Sequence, residues 1–284
     1  MKTKLIDYVD NGPIFITGHV NPDGDALGSA FALKLFLDTQ NIISDVDFDI
    51  TTKLPSNLNH LPYHLISDDL KEKYNTVFVF DCGNSSRLGK YEEVVLAAEN
   101  IVVIDHHVDP SFGDVQIIDP HAASTTQVLF RQFKDENIEI NEEMANCLLT
   151  GLITDTGRFQ YSNTTSEVFS IAAELLGNGA NLSKISENIY GSIEFNALTL
   201  QSKIIERIVL NEDLQFAHSI VFQNDYKDYQ VEPEETDFLI DVVRLVKEST
   251  VALLIKEQED GSFKGSLRSR GDIDVQKIAS IFSG

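Results

Sequence analysis

"NIVVIDHH", residues 100–107, decides how the first 190 residues are read. Ile101, Val102, Val103 and Ile104 form a β-branched apolar run that reads as a buried strand. It ends abruptly in Asp105, His106 and His107. An acid and two imidazoles at the end of a buried strand suit either a polar turn or part of a metal site. The surrounding sequence has to choose between them.

The same design recurs nearby. "NTVFVFDC" (75–82) is another short β-branched run, carrying Asp81 at its end, and "PIFITG" (13–18) reads as a strand ending at Gly18. "SDVDFDI" (44–50) alternates, and "GDVQIID" (113–119) is a further strand candidate. "DALGSAFALKLFLDT" (25–39) reads as a helix, with Leu27, Phe31 and Leu35 on one face. Helices are expected over 124–137 with Ser124 as N-cap, and over 141–157 from Asn141 to Gly157. A further helix over 164–179 would open on a Thr164–Glu167 capping box, and a short one would span 181–191. Strands alternating with helices predict an α/β fold whose sheet is mainly parallel and flanked by helices. Ligands of such sheets sit beyond the carboxyl ends of the strands.

The style changes near residue 195. A helix over 191–207 is expected to join two lobes, a catalytic domain over 1–190 and a smaller α/β domain over 208–284. In the latter, 214–222 and 250–269 read as strands, the second a hairpin turning at "EDGS", with a helix over 232–249 between them.

Composition narrows the function. The 284 residues exceed one ordinary domain and suit two. Hydrophobic content of 42% with 24% charged residues is that of a soluble globular protein. No apolar run approaches the ~20 residues of a membrane span, and "MKTKLIDYVD" lacks a signal peptide's apolar core, so a cytoplasmic location without a membrane partner is expected. Cys82 and Cys147 are far apart and outside any C-x-x-C, which excludes a disulfide framework and a thiolate zinc site. Metal ligands would then be oxygen and imidazole nitrogen, favouring Mn or Mg. The net charge of -23 repels long nucleic acid. A small anionic substrate stays compatible where metal ions or arginines reverse the local sign.

The carboxylates cluster at element ends. "TGHVNPDGDALGS" sets His19, Asp23 and Asp25 in a strand-to-helix turn; Asp81 and Asp105–His107 follow strands; Asp155, in "LLTGLITDTGRFQY", closes a helix. His19 and Asp23 can converge on one ion around the turn. Asp23 and Asp25, flanking Gly24, can serve one ion each, and Asp81 is placed to bridge two ions about 3.5–4 Å apart. Each acid taken singly also suits an N-cap or turn; their coincidence at one sheet edge favours the metal reading.

"GHVNPDGDALGS", "DCGNSSRLG", "DHHVDP" and "TDTGRF", spanning residues 18–159, resemble in order and separation the signature motifs of the DHH phosphoesterases. "GSLRSRGDIDVQKIASIFSG" resembles the DHH-associated domain of the RecJ-like branch more than that of family II inorganic pyrophosphatases. Length and "TDTGRFQYSNTT" resemble the branch acting on short oligoribonucleotides, 3'-phosphoadenosine 5'-phosphate (pAp) and linear or cyclic di-AMP.

The resemblance implies two Mn2+ ions, with Mg2+ as the alternative. One would be held by His19, Asp23 and Asp81, the other by Asp25, Asp81, His106 and Asp155. His107 would face the scissile phosphate, and Asp105 would orient an imidazole. Asn21, Arg87, Arg268 and Ser269 are candidate substrate contacts, Arg268 being best suited to a terminal phosphate. The implied activity is phosphodiester and phosphomonoester hydrolysis by two-metal water activation, giving mononucleotides. The alternatives are a cyclic di-AMP phosphodiesterase and a catalytically reduced nucleotide-binding protein. A homodimer is the oligomeric expectation. Relatives in this branch continue into a glycine-rich "GGGH" loop, so a chain stopping at Gly284 is expected to lack that loop's grip on the nucleotide.

Overall fold

The apolar runs at Ile14–Gly18 (β1), Thr76–Phe80 (β3) and Asn100–Asp105 (β4) lie side by side in a parallel sheet, with Ser44–Val46 (β2) and Val115–Ile118 (β5) at its edges, in the order β2-β1-β3-β4-β5. The structure is a computed structural model describing residues 4–9, 12–51, 53–107, 110–191, 193–236, 238–271 and 273–282. The "VD" of "DHHVDP" and the last two residues therefore lie outside the described part. The chain divides into two compact units, Met1–Gly191 and Ser192–Gly284.

The central strands are apolar at nearly every position because both faces are covered. Ile14, Ile16, Phe78, Phe80, Val102 and Ile104 point into one core. Phe15, Val77, Val79, Ile101 and Val103 point into the other. The first unit's helices are Gly24–Thr39 (α1), Glu92–Leu96 (α2), Thr125–Asp135 (α3), Glu142–Asp155 (α4), Ser166–Gly177 (α5) and Leu182–Ser186 (α6). Leu27, Phe31 and Leu35 of α1 are buried as the spacing predicts, and Ser124 and Asn141 cap α3 and α4.

Two local expectations shift. The strand over 44–50 pairs only as far as Val46, because the chain then leaves the sheet edge. There the Asp49 carbonyl accepts from the Asn21 amide at 2.9 Å and its carboxylate from the Lys90 amide at 2.8 Å. The cap of α5 is Thr165, not Thr164. Glu167 is drawn away from a capping role by Arg131, whose Nε and Nη2 donate to its carboxylate at 2.7 and 2.6 Å.

The second unit contains Phe195–Glu206 (α7), Val209–Asn211 (β6), Phe216–Val221 (β7), Gln223–Tyr229 (α8), Leu239–Arg244 (α9), Val251–Glu257 (β8), Phe263–Ser269 (β9) and Val275–Ser280 (α10). Its sheet runs β6-β7-β8-β9, with β7 and β8 parallel and the expected β8–β9 hairpin antiparallel. The helix expected as a connector, α7, contributes Ala197, Leu200 and Ile204 to this unit's core. The helix expected over 232–249 contracts to α9, preceded by a 3-10 turn at Pro233–Thr236. It stops where the Arg270 guanidinium donates to the Arg244 and Val246 carbonyls, so Arg270 is a helix-end clamp rather than a free surface charge.

Arg207 grips the buried Asp225 with both Nη atoms, and the Phe222 amide donates to the same carboxylate at 2.7 Å. Burial works to raise the Asp225 pKa, but these donors outweigh it and hold it below the ordinary value. Arg207→Ala should therefore cost about 1.5–3 kcal/mol at neutral pH, the range for hydrogen bonds to a charged group. A depressed folded pKa stabilises above the unfolded value, about 3.9 for Asp, and that contribution fades as pH falls through the folded value. Denaturant melts at neutral pH and near pH ~3 should show the gap between wild type and variant shrinking on acidification.

Candidate metal centre

Gly18, Phe80 and Ile104 occupy one row of the register on three adjacent strands. The next residue on each is His19, Asp81 and Asp105, so the sheet itself sets these groups level at its carboxyl edge. Asp81 sits at φ 53°, a left-handed conformation that Asp tolerates better than most residues and that accumulates at functional sites. The turn after His19 runs directly into α1. Asp23 caps this helix, its Oδ1 accepting from the amides of Asp25 at 3.0 Å and Ala26 at 3.1 Å. The N-cap and site readings of Asp23 thus coexist in one side chain.

Asp155 arrives from the opposite direction. α1 and α4 pack antiparallel, with Gly24 against Thr154 and Gly28 against the backbone of Cys147 and Gly151. The start of one helix therefore meets the end of the other, and Asp25 faces Asp155.

Three groups of ligand atoms result, each within 4.8 Å of one another: His19, Asp23 and Asp81; Asp25, His106 and Asp155; and Asp81, Asp105, His106 and His107. His19 Nε2 lies 3.5 Å from Asp81 Oδ2 and 3.9 Å from Asp23 Oδ1. His106 Nε2 lies 3.6 Å from Asp81 Oδ1 and 3.4 Å from Asp155 Oδ2. These separations exceed ordinary hydrogen bonds and suit ligands facing a common ion. The two Asp81 oxygens look in different directions, one to His19 and one to His106.

The remaining ring nitrogens are fixed by carbonyls. His19 Nδ1 donates to the Val20 carbonyl at 2.9 Å and His106 Nδ1 to that of Ala122 at 3.3 Å. A carbonyl only accepts, so Nδ1 carries the proton and Nε2 faces the carboxylates. His107 is held differently. Its Nδ1 contacts Asp105 Oδ1 at 2.8 Å and Asp81 Oδ1 at 3.3 Å, and it is half exposed. Asp105 Oδ1 also accepts the His106 and His107 amides at 2.7 and 3.0 Å. The carboxylates of Asp105 and Asp81 raise the His107 pKa to about 10, which favours the imidazolium form.

The donor set fits hard or borderline divalent cations. Burial and the charges of Asp81 and Asp23 raise the Asp25 carboxyl well above its ordinary value; burial, Asp25, Asp23 and Asp81 do the same to Asp155. Burial also opposes the Asp81 charge, but the neighbouring imidazoles of His107 and His19 outweigh it and hold its pKa far below ordinary. Among the described residues the ion-pair partners of Asp23, Asp81 and Asp155 are histidines alone. The raised carboxyls of Asp25 and Asp155 mark the part of the cluster that lacks the cationic compensation divalent ions would supply. Neither thiol takes part: Cys82 Sγ donates to the Asn84 carbonyl, and burial pushes it up to about 11.

The other sequence-derived contacts are placed less centrally. The Asn21 side chain is tied to Thr51, donating to its hydroxyl at 2.8 Å and accepting from its amide at 2.9 Å. Arg87 follows Asp81 on an exposed turn whose carbonyl accepts the Val20 amide at 2.7 Å; its guanidinium has no ion-pair partner among the described residues. Arg268 and Ser269 belong to β9 of the second unit. Arg268 is exposed, while Ser269 donates to the Ile273 carbonyl at 2.7 Å.

The sequence reading missed the start of α3. The amides of Thr125 and Thr126 donate to Asp25 at 2.6 and 2.9 Å, and the Thr125 hydroxyl donates to Asp81 Oδ1 at 3.1 Å. "STT" (124–126) reads simply as a helix start, and nothing local signals partners so distant in sequence.

Residues 13–152 match the DHH family, N-terminal domain. The chain is 32% identical to the bifunctional oligoribonuclease and PAP phosphatase NrnA of Thermus thermophilus, covering 96% of this chain and 81% of that protein. It is 27% identical to the probable bifunctional oligoribonuclease and PAP phosphatase NrnA of Streptococcus mutans, covering 100% of this chain and 89% of that one. The crystal structure of an exopolyphosphatase-related protein from Bacteroides fragilis superposes with a TM-score of 0.90 at 25% identity, covering 98% of this chain and 85% of that one. The match to the Thermus protein runs the length of both described units, and the family's N-terminal domain takes in every strand of the first sheet. This chain belongs to the DHH family.

Proposed function

We propose that this protein is a metal-dependent hydrolase of phosphoester bonds, releasing mononucleotides from short oligoribonucleotides and linear di-AMP, and adenosine monophosphate from pAp. The observation that carries this reading is the convergence of three ligand groups at the carboxyl ends of β1, β3 and β4. The names of the Thermus and Streptococcus relatives supply the substrate class.

His19, Asp23 and Asp81 would hold one ion, and Asp25, Asp81, His106 and Asp155 the other, with Mn2+ as the physiological metal. Such ions lower the pKa of water and neutralise phosphoryl charge. The chain's own part is to fix the ligands and to place a cationic donor. His107 is half exposed and paired with Asp105, suited as an imidazolium to stabilise charge on the phosphoryl group or to protonate the leaving oxygen. Asp105 holds that imidazole by Nδ1, leaving Nε2 for substrate. Arg87 and Arg268 are the guanidinium candidates for phosphate.

Net charge of -23 confines attraction for anions to such local sites, which favours short substrates over long chains. Among the described residues no helix is long and apolar enough to cross a membrane.

The test is a turnover panel with Mn2+ over dinucleotide RNA, linear di-AMP, cyclic di-AMP, pAp, pyrophosphate and long RNA. Dinucleotide and pAp hydrolysis is expected to stop on chelation and return with Mn2+. Equal turnover of dinucleotide and long RNA overturns the length preference. Tight nucleotide binding without turnover would make this a binding protein, and turnover of pyrophosphate alone a pyrophosphatase.

A further inference from the structure

We infer that Thr125 is a positioning residue for the ligand group around His106, acting on Asp25 and Asp81 together. Its backbone amide holds Asp25 of that group and its side-chain hydroxyl fixes the Asp81 oxygen that faces His106. The inference rests on the metal-dependent reading above and concerns a residue outside every ligand set.

The start of α3 explains why this position can do both. The first amides of a helix have no partner within it and turn to a side chain or to water. Here they turn to a buried carboxylate 100 residues away in sequence: Thr125 N donates to Asp25 Oδ2 at 2.6 Å. Thr126 N donates to Asp25 Oδ1 at 2.9 Å. Each Asp25 oxygen thus spends one acceptor site on α3 and keeps another for an ion. The cap proper is separate, since Ser124 Oγ accepts from Gln127 N at 3.1 Å.

The hydroxyl is the second, independent observation. Buried threonines on α4 and at its end return their hydroxyls to that helix, Thr150 to the Asn146 carbonyl at 2.8 Å and Thr156 to that of Leu152 at 2.6 Å. Thr125 Oγ1 instead crosses to Asp81 Oδ1 at 3.1 Å. That oxygen is the one 3.6 Å from His106, whereas Oδ2 is the one 3.5 Å from His19. His107 Nδ1 also lies 3.3 Å from Oδ1, so the Thr125 donor, fixed on the helix, acts with it to set the rotation of the Asp81 carboxylate and thus which oxygen each histidine shares. Asp25, Thr125, Ser124 and Thr126 are all sealed from solvent, which leaves water no easy route to replace a lost donor.

The test reads metal binding rather than turnover alone. Full-length protein is stripped with chelator and titrated with Mn2+ by equilibrium dialysis and EPR, as wild type, Thr125→Val, Thr125→Ala and Thr125→Ser. Val keeps the amide and the shape but removes the hydroxyl; Ser keeps the hydroxyl. T125V and T125A are expected to lose roughly 10- to 100-fold in affinity for at least one ion, the range for residues that orient metal ligands. At matched occupancy their EPR signal from the coupled Mn pair should differ from wild type, while T125S keeps both. Ala only removes atoms, so T125A carries the comparison should T125V fail to fold. Wild-type affinity and pair signal in T125V or T125A overturns the role of Thr125 while leaving the metal reading intact. So does a loss in T125S equal to that in T125V, which would assign the effect to packing. A wild-type chain that binds no Mn2+ overturns the metal reading itself.

Discussion

Asp81→Asn is expected to lose hydrolysis almost completely while the chain stays folded. Asp81 is the side chain common to two ligand groups, one with His19 and Asp23 and one with Asp105, His106 and His107. Its substitution therefore weakens both histidine pairs at once. The loss should exceed the roughly 10- to 100-fold cost of losing a residue that merely orients a ligand. Asparagine is the informative replacement because it tolerates the φ of 53° that position 81 adopts, where alanine adds backbone strain. Removing this charge also relieves Asp25 and Asp155, whose carboxyls Asp81 helps to raise. It also deprives His107 and His19 of a partner and forfeits the stability that a depressed Asp81 pKa contributes at neutral pH, so the metal-free variant should stay folded but melt below metal-free wild type. Turnover of a dinucleotide at saturating Mn2+, with thermal melts in chelator, checks both halves. Activity within tenfold of wild type would remove Asp81 from the centre of the site.

The parallel sheet was legible because burial on both faces leaves a continuous apolar run, and because each run ends in polar residues just where it leaves the core. The acids and imidazoles at those ends were legible for the same reason. What sequence pattern does not carry is contact across the fold. The bonds from α3 to Asp25 and Asp81 join residues with no local signal, and "STT" satisfies every rule for an ordinary helix start. The retreat of β2 at Val46 is set by what Asp49 holds in space, since alternation itself continues to Ile50. α8 went unread because "QNDYKDY" has almost no apolar periodicity; Asp225 fixes it through Phe222 and Arg207. The α5 cap slipped by one residue because a distant arginine competes for the glutamate a capping box would use.

Gly28→Ala should be costly, although alanine favours helix over glycine by about 1 kcal/mol. A Cβ at position 28 would stand 2.4 Å from the Cys147 carbonyl oxygen, and backbone cannot swing aside as a flexible side chain can. α1 and α4 must then separate, at a cost of about 1–3 kcal/mol for overpacking. Gly151→Ala tests the same crossing closer to the chemistry. Its Cβ would meet Asp25 Oδ1 at 2.5 Å and the Thr126 side chain at 2.5 Å, so it should disturb the ligand itself and weaken Mn2+ binding as well as the fold. Gly177 is the control. It ends α5 with nothing within 4 Å of where a methyl would stand, so Gly177→Ala should be neutral or stabilising by up to about 1 kcal/mol. Denaturant melts on the three variants separate a general intolerance of alanine from a specific demand for close helix approach. Equal stability of Gly28→Ala and Gly177→Ala would contradict the packing that brings Asp25 to Asp155. If the packing holds, these glycines belong to the site's machinery as much as the carboxylates do, since α1 and α4 bring Asp25 and Asp155 together only at this interhelical distance.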